Sequence, residues 1–563
     1  MPDQTILRSA LLAAALFLPQ AAPAQDAGAY LAAVIAANDS DHRAATRWFD
    51  RALESDANNP ALLESAIVAH IAAGDFERAG ALAQTMGSLG LEGQALYIAL
   101  VDRATREEDW DTVLSAQGDG EAISLILQQL VRAWATLGGG NAQGALAGFD
   151  AVATTDGLQA FGLYHKALAL ASVGDMEGAE EILGDPNLAP ALTRRGVLAH
   201  IQVLSQLDRN DDAQAVLEEY FSPTDPTRVT LSDRLAAGET LDWDIARTAR
   251  DGVAEVFYTL ASALQGEAGD TLTLVYARVA TDLRPDQAEA QILTGDILSS
   301  QGQTELAIDA YDRVDAADPL REAADIARAD ALFRADRPAD AVEALAALRD
   351  MRPDALGPAI AYADALRRTE AWEEAVPAYD RALALIGVPS AQYWPVLFSR
   401  GIAHERLGQH AESEADMRAV LDLQPDQPDV LNYLGYTLVE QGRNLDEALG
   451  MIERAVAAEP GSGAIQDSLA WALFQLGRFP EAVPPIEIAV GLEPSDPILT
   501  DHLGDIYWAV GRRDEARFQW RRALEFDPTE AEVTRIRRKL EVGLRQVLTE
   551  EGRTDLSDKI PAP

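Results

Sequence analysis

Small apolar residues recur along the chain at a nearly constant interval. Counting back from Ala516, the positions Ala482, Ala448, Ser413, Ala375, Ala341, Ala307 and Thr273 follow at steps of 34 to 38 residues. After a gap of 60 the series resumes through Ala213, Ala179, Ala145, Val113, Ala79 and Ala45 at steps of 32 to 34. Eleven of these fourteen residues are alanine, the size required where two helices cross so closely that a larger side chain would force them apart. Other positions keep the same register. Glycine stands five residues before the column at Gly74, Gly140, Gly174, Gly302, Gly408, Gly477 and Gly511, where a first helix must stop and the chain turn with positive φ. A large apolar residue stands four after it, as Phe49, Phe149, Tyr311, Tyr379, Ile486 and Trp520, on the same face of a second helix. Proline stands twelve after it at Pro285, Pro319, Pro353, Pro425, Pro460, Pro494 and Pro528, which ends that second helix. The pattern predicts an all-α chain of about fourteen helix pairs, each burying its apolar face by stacking on its neighbours.

Two interruptions predict joints. The 60-residue gap holds one unit plus 26 residues, and Phe221 to Leu241 is rich in Pro, Thr, Asp and Gly, including Pro223 and Pro226. That stretch is expected to connect two solenoid arms. The divisions that follow are a divergent N-terminal arm over 25–220, a connector over 221–247, a C-terminal arm over 248–529, and a capping helix with a polar tail over 530–563. In the last segment Val533, Ile536, Leu540, Leu544 and Val547 share one helical face, expected to close the end of the stack. Glu551 to Pro563 is expected to fray. Residues 1–24 differ in character: Arg8 precedes the apolar run Ala10 to Leu18, Pro19 ends it, and Ala22-Pro23-Ala24 supplies small residues where a signal peptidase reads. Nine apolar residues are too few to span a bilayer. The segment is expected to be a cleavable signal peptide that leaves Gln25 first and the mature chain periplasmic, membrane association left open.

The last unit carries Leu503, Gly504, Tyr507, Ala516, Trp520, Ala523 and Pro528. A 34-residue unit of this form resembles the tetratricopeptide repeat, and the resemblance extends over about residues 30 to 530, although the first six units lack the proline and often the Leu-Gly pair. It implies a right-handed α-solenoid whose first helices line a concave surface. Aligned on it, the groove-facing positions of the last three units include Asn432, Tyr436, Asp467, Trp471, Phe474, Asp501, Asp505 and Trp508. Aromatic faces beside carboxylates suit polypeptide segments bearing Lys or Arg. No lysine falls in that lining, so the clamp with which some tetratricopeptide domains grip a terminal carboxylate is not implied. The strings Leu431-Asn432-Tyr433-Leu434-Gly435-Tyr436, Ile465 to Trp471 and Asp501-His502-Leu503-Gly504-Asp505 resemble a bacterial envelope family of long tetratricopeptide proteins. That family includes outer-membrane lipoprotein adaptors of a carboxyl-terminal processing protease acting on cell-wall hydrolases. This chain has no cysteine to carry such a lipid.

Composition narrows the function further. Forty-six basic and 91 acidic side chains leave a formal charge of −45, which argues against nucleic acid or an anionic membrane as main partner. The absence of cysteine removes disulfides, thiolate metal sites and a cysteine nucleophile. No two of His42, His70, His165, His200, His404, His410 and His502 stand at a spacing that would bind one metal from one helix. None of Lys166, Lys539 and Lys559 follows a glycine, so a phosphate loop is ruled out. Gly138, Gly139, Gly140 and Gly144 form a repeat turn. Asp208, Asn210, Asp212 and Glu219 are spaced like a calcium loop, but the sixth position, which must be glycine, is Ala213 of the packing column. From Arg512 to Arg545 ten basic residues face seven acidic ones, either a solvated cap or a dock for an acidic partner or envelope surface. Repeats and connectors leave no second fold in which to shape a catalytic pocket. The expectation is a non-enzymatic adaptor or scaffold without metal or cofactor, binding protein partners in its groove; the alternative is a scaffold of a secretion or polysaccharide-export assembly. A processing protease and its substrates are partners only as the envelope resemblance implies.

Overall fold

The computed structural model describes residues 24–117, 122–188, 192–266 and 269–560, so the expected signal segment lies outside the described residues up to position 23. Among the described residues there is no strand, and fourteen helix pairs run from Ala24–Asn38 with His42–Leu53 to Pro497–Ala509 with Arg513–Ala523. All fourteen column residues are buried, none more than 4% exposed. The seven glycines five positions upstream all turn with φ between 72° and 89°. In five other units the same left-handed position is held by Ser40, Glu108, Asp208, Asp336 and Glu370, a strain tolerated because the repeat fixes the turn around it. Asp208 is therefore a turn residue. Nearby, the Asn210 side chain accepts from the Ser205 hydroxyl and donates to the Glu239 carbonyl, while Asp212 accepts from Arg209.

Two compact units divide the chain, one ending at Leu348 and the other beginning at Arg349. Within the first unit, six helix pairs up to Asn210–Tyr220 are followed by the helix Pro226–Ala236, inside the stretch expected to be a connector. Its Pro and Asp mark a helix start instead: Asp225 caps the Thr227 amide and Pro226 occupies the first turn. Leu235 and Leu241 then join Val197, Ile201, Leu204 and Leu217 in a buried cluster. The next pair, expected to open a second arm, turns back on the first. Ala249–Leu264 packs against Ala122–Gly138 and Gln159–Ser172, and Asp270–Leu283 packs against Pro60–Ala73 and Gln94–Arg106. The cause is composition, because a helix that is apolar on nearly every side must be enclosed. Val253, Ala254, Val256, Phe257, Leu274, Tyr276, Ala277 and Val279 are all buried. Contact is close enough that a Cβ on Gly252 would stand 2.2 Å from the Trp134 ring.

Polar groups tie this returning hairpin in place. Glu255, 1% exposed, accepts from the Tyr164 hydroxyl at 2.8 Å and pairs with Arg195 at 2.9 Å. Arg278 donates to the Ala72 carbonyl, and its burial lowers its pKa to about 10. His165 accepts from the Trp134 indole at 3.2 Å, and burial pulls its pKa down to about 3, so it is a neutral core residue. Asp102 and Asp282 meet around Arg106, whose Nε lies 3.3 Å and 3.0 Å from them. Burial first, and then the neighbouring Asp282 charge, push the Asp102 carboxyl well above its ordinary range.

Within the second unit the C-terminal segment departs from expectation twice. Gly543, at φ 83°, breaks the single capping helix into Glu530–Val542 and Leu544–Glu550. The tail expected to fray instead forms a short helix, Thr554–Ser557, with Leu556 and Ile560 each 1% exposed. Two apolar anchors, Leu556 and Ile560, hold it in the same cluster as Leu548, Phe474 and Trp520.

The raised Asp102 pKa has a testable sign. A carboxyl whose folded pKa exceeds its unfolded value of about 4 contributes fully below that value, and the contribution is lost as pH rises through the folded pKa. Asp102→Asn, neutral at every pH, should therefore melt at a higher temperature than the native protein in mildly basic buffer, with the difference closing as pH falls toward 4. A constant offset across that range, followed by calorimetry, would contradict the buried pair.

Candidate protein-binding groove

Three first helices carry the expected groove: Pro428–Glu440, Gly463–Gln475 and Pro497–Ala509. Each starts on a side-chain cap. Gln427 accepts from the Asp429 amide, Ser462 from that of Ile465, and Asp496 from those of Ile498 and Leu499. The spacing of Asp467, Trp471 and Phe474 puts them on one helical face, and Asp501, Asp505 and Trp508 repeat it 34 residues later.

An aromatic stack lies at the centre. The Trp471 ring stacks on His502 at 4.0 Å and on Phe474 at 4.9 Å, both at 11° between planes. Its indole N–H donates to Glu440 at 2.6 Å. Asp467 sits 2.9 Å from His502 Nδ1. Burial works against charge on that imidazole, but the Asp467 carboxylate, with Asp501 and Asp505 adding to it, holds the His502 pKa above its ordinary value. Further along, Lys539 Nζ donates to Asp501 at 2.6 Å and to Asp505 at 2.7 Å, with the lysine completely buried. Asp505 also accepts from the Trp520 indole at 2.9 Å. Burial raises the Asp501 pKa, and Lys539 opposes that rise. Arg535 stands 3.4 Å from Asp505 and 2.8 Å from Glu551. Trp508 lies beside Gly543, where a Cβ would come within 2.5 Å of its ring. Arg553 donates to Gln475.

These contacts gather the eight expected residues along neighbouring helices but correct their character. Asp467, Trp471, Phe474, Asp501 and Asp505 are buried, while Asn432, Tyr436 and Trp508 are half-buried. The two carboxylates of Pro497–Ala509 are not open to a partner, because helix Glu530–Val542, a C-terminal strap, brings its own cations to them. A lysine does enter the lining, from position 539. Much of the basic stretch is likewise spent at home: Arg512 pairs with Glu487 and Glu515, and Arg538 with Glu541 and Glu550. Lys539, His502 and Glu440 escape the repeat alignment. A signal for Lys539 exists, since it lies three residues after Ile536 on the apolar face of its helix.

A family model for the tetratricopeptide repeat matches residues 275–322, 326–389, 398–463 and 434–497. The stretch from 275 to 497 therefore carries tetratricopeptide repeats. A TPR repeat-containing protein of Pseudomonas aeruginosa is 28% identical over 193 residues, which cover 33% of this chain and 31% of that protein. The match thus spans less than a third of the relative's length. Among solved structures, the Cut9–Hcn1 hetero-tetramer of APC/C aligns over 96% of this chain and 99% of its own at 14% identity, with a TM-score of 0.39. A tetratricopeptide repeat protein from Parabacteroides merdae aligns over 46% of this chain and 98% of its own at 17% identity and a TM-score of 0.37. Tetratricopeptide-repeat proteins are generally non-enzymatic scaffolds for protein partners.

Replacing Lys539 with methionine keeps the volume and strands two buried carboxylates, which should cost about 3–5 kcal/mol at neutral pH. The loss should shrink on acidification, as the raised Asp501 carboxyl becomes neutral, and adding Asp501→Asn should restore part of it. Denaturant unfolding at pH 7.5 and 5 measures both. Equal loss at the two pH values would show that Lys539 acts through packing alone.

Proposed function

We propose that this protein is a non-enzymatic periplasmic scaffold that holds partner polypeptides on the concave face of its C-terminal repeats, in the manner of an adaptor bringing a processing protease to cell-wall hydrolases. The observation that carries the binding mode is the chain's own strap. Helix Glu530–Val542 lays Ile536 and Lys539 onto the first helix of the last repeat, with the lysine between two aspartates. The groove therefore holds a helix that presents one cation beside an apolar residue, and a partner segment of the same chemistry suits the surface upstream. There Tyr436 is half-buried, Asn432 Oδ1 has no hydrogen-bond partner, and Glu440 is exposed. The aromatic ring supplies affinity, and the polar groups select the segment. The address rests on the Ala22-Pro23-Ala24 processing pattern.

Affinity purification of the native protein from the periplasm, beside Tyr436→Ala and Asn432→Ala, tests the proposal. The native protein should begin at Gln25 and retain a processing protease and murein hydrolases. Loss of one aromatic anchor typically costs about 2 kcal/mol, so Tyr436→Ala should lose most of the captured protein while keeping its helical circular dichroism. A native N-terminus at Met1 would sink the address. An unchanged set of captured proteins in both folded variants would sink the groove.

A further inference from the structure

A cavity of about 210 Å³ lies in the first unit, where Arg194–Gln206, Pro226–Ala236 and the start of Ala288–Ser300 converge with the turn at Asp318. It is smaller than the roughly 300 Å³ at which small-molecule sites usually begin, so it has room for the end of one side chain. Its polar lining is unbalanced in a specific way. Each of its four arginines already has partners. Arg194 donates to Asp225 at 2.8 Å and to Thr227 at 2.7 Å. Arg195 donates to Glu255 and Glu289, and Arg247 to Asp286 at 2.8 Å. Arg284 donates to the Ile245 and Asp244 carbonyls.

The acceptors are not used up. Asp318 accepts from the Leu320 amide at 2.7 Å, and Asp244 from the Gln202 amide group at 2.7 Å. Among the described residues neither carboxylate has a cationic side chain within ion-pair distance, whereas the arginines around them do have carboxylate partners. Gln287, only 1% exposed, lines the same cavity, and its Oε1 has no hydrogen-bond partner although its Nε2 donates to Glu255. A buried acceptor left unpaired carries its full desolvation cost until a donor arrives. Burial, together with the charges of Glu289 and Asp244, also raises the Asp318 pKa.

We propose that this cavity is a binding site for a single guanidinium or ammonium group, supplied by an Arg or Lys side chain of a partner polypeptide and received by Asp318, Asp244, Glu289 and Gln287 Oε1. An organic cation fits better than a metal ion. Among the described residues no three carboxylate or imidazole side chains are grouped closely enough to hold one, whereas a guanidinium has five N–H donors spread over a plane that can reach separated acceptors. The site is distinct from the C-terminal groove. It would let a partner pin the bend at which the returning hairpin leaves the first six repeats.

Calorimetry on the full chain at physiological salt tests it with three probes: acetyl-Ala-Arg-Ala-amide, the same peptide with citrulline as the neutral isostere of arginine, and agmatine. The arginine peptide should bind saturably at one site and the citrulline peptide should not. Asp318→Asn, which keeps the bond to the Leu320 amide, should weaken binding by about tenfold, the scale of one charge-assisted contact. The remote exposed Glu412→Gln should leave it unchanged and so exclude general attraction to an acidic chain. Tighter binding of the peptide than of agmatine supports a polypeptide source, and the reverse order overturns it in favour of a small free amine. No saturable binding by either cationic probe, equal binding of the citrulline peptide, or unchanged affinity in an Asp244→Asn/Asp318→Asn double variant would overturn the site.

Discussion

Helix pairs in this chain cross where only a small side chain can stand, and that restriction determines what the rest of each repeat can be. With Ala516 at the crossing, the backbones come so near that the facing first helix needs glycine: a Cβ on Gly504 would lie 2.4 Å from the Trp520 ring. Gly295 against Tyr311 and Gly435 against Ile452 repeat the arrangement at 2.5 Å and 2.7 Å. The large residue four places after the column can then fill the space between neighbouring pairs without a void, as close packing demands. Where charge reaches these layers it is paired, as Asp505 is with Lys539 beside the Trp520 indole. In a chain of net −45, a cation brought there has carboxylates to choose from.

Polar pairs then fix where the chain folds back on itself. In the first unit the returning hairpin fills space between earlier repeats and brings Arg278 to the Ala72 carbonyl, while its own Glu255 receives Arg195. In the second unit the strap covers the last first helix and brings Lys539 to Asp501 and Asp505. Buried ion pairs of this kind add little net stability over apolar packing, but breaking one leaves an uncompensated charge. They therefore fix which segment sits where. The cavity at the bend follows the opposite pattern: its arginines have partners, while among the described residues Asp318 and Asp244 have no cation and Gln287 Oε1 has no hydrogen-bond partner.

The repeat register was legible because a 34-residue period repeats the same steric demand many times, and no local accident can imitate that. All seven turn glycines and the six core residues four after the column stand where the spacing put them. The groove was legible as a set of positions but not as a surface, since aligned repeats say nothing about a non-repeating segment that folds onto them. Periodicity failed for the same reason at Pro226, where a helix start resembles a linker in composition, and at Ile560, where a short tail with one or two apolar anchors looks frayed. Lys539 was hidden by ordinary expectation, because a lysine on a terminal helix usually faces water.

Hydrogen exchange of the amides in Glu530–Val542, compared with those of Gly463–Gln475 in the same unit, tests most directly whether the chain occupies its own groove. If Lys539 and the apolar face of the strap are integral to the fold, both helices should exchange only through unfolding of the whole unit and share one opening free energy. Strap amides that exchange as fast as an exposed, frayed helix while Gly463–Gln475 stays protected would contradict it, and would return Asp501 and Asp505 to solvent as open carboxylates.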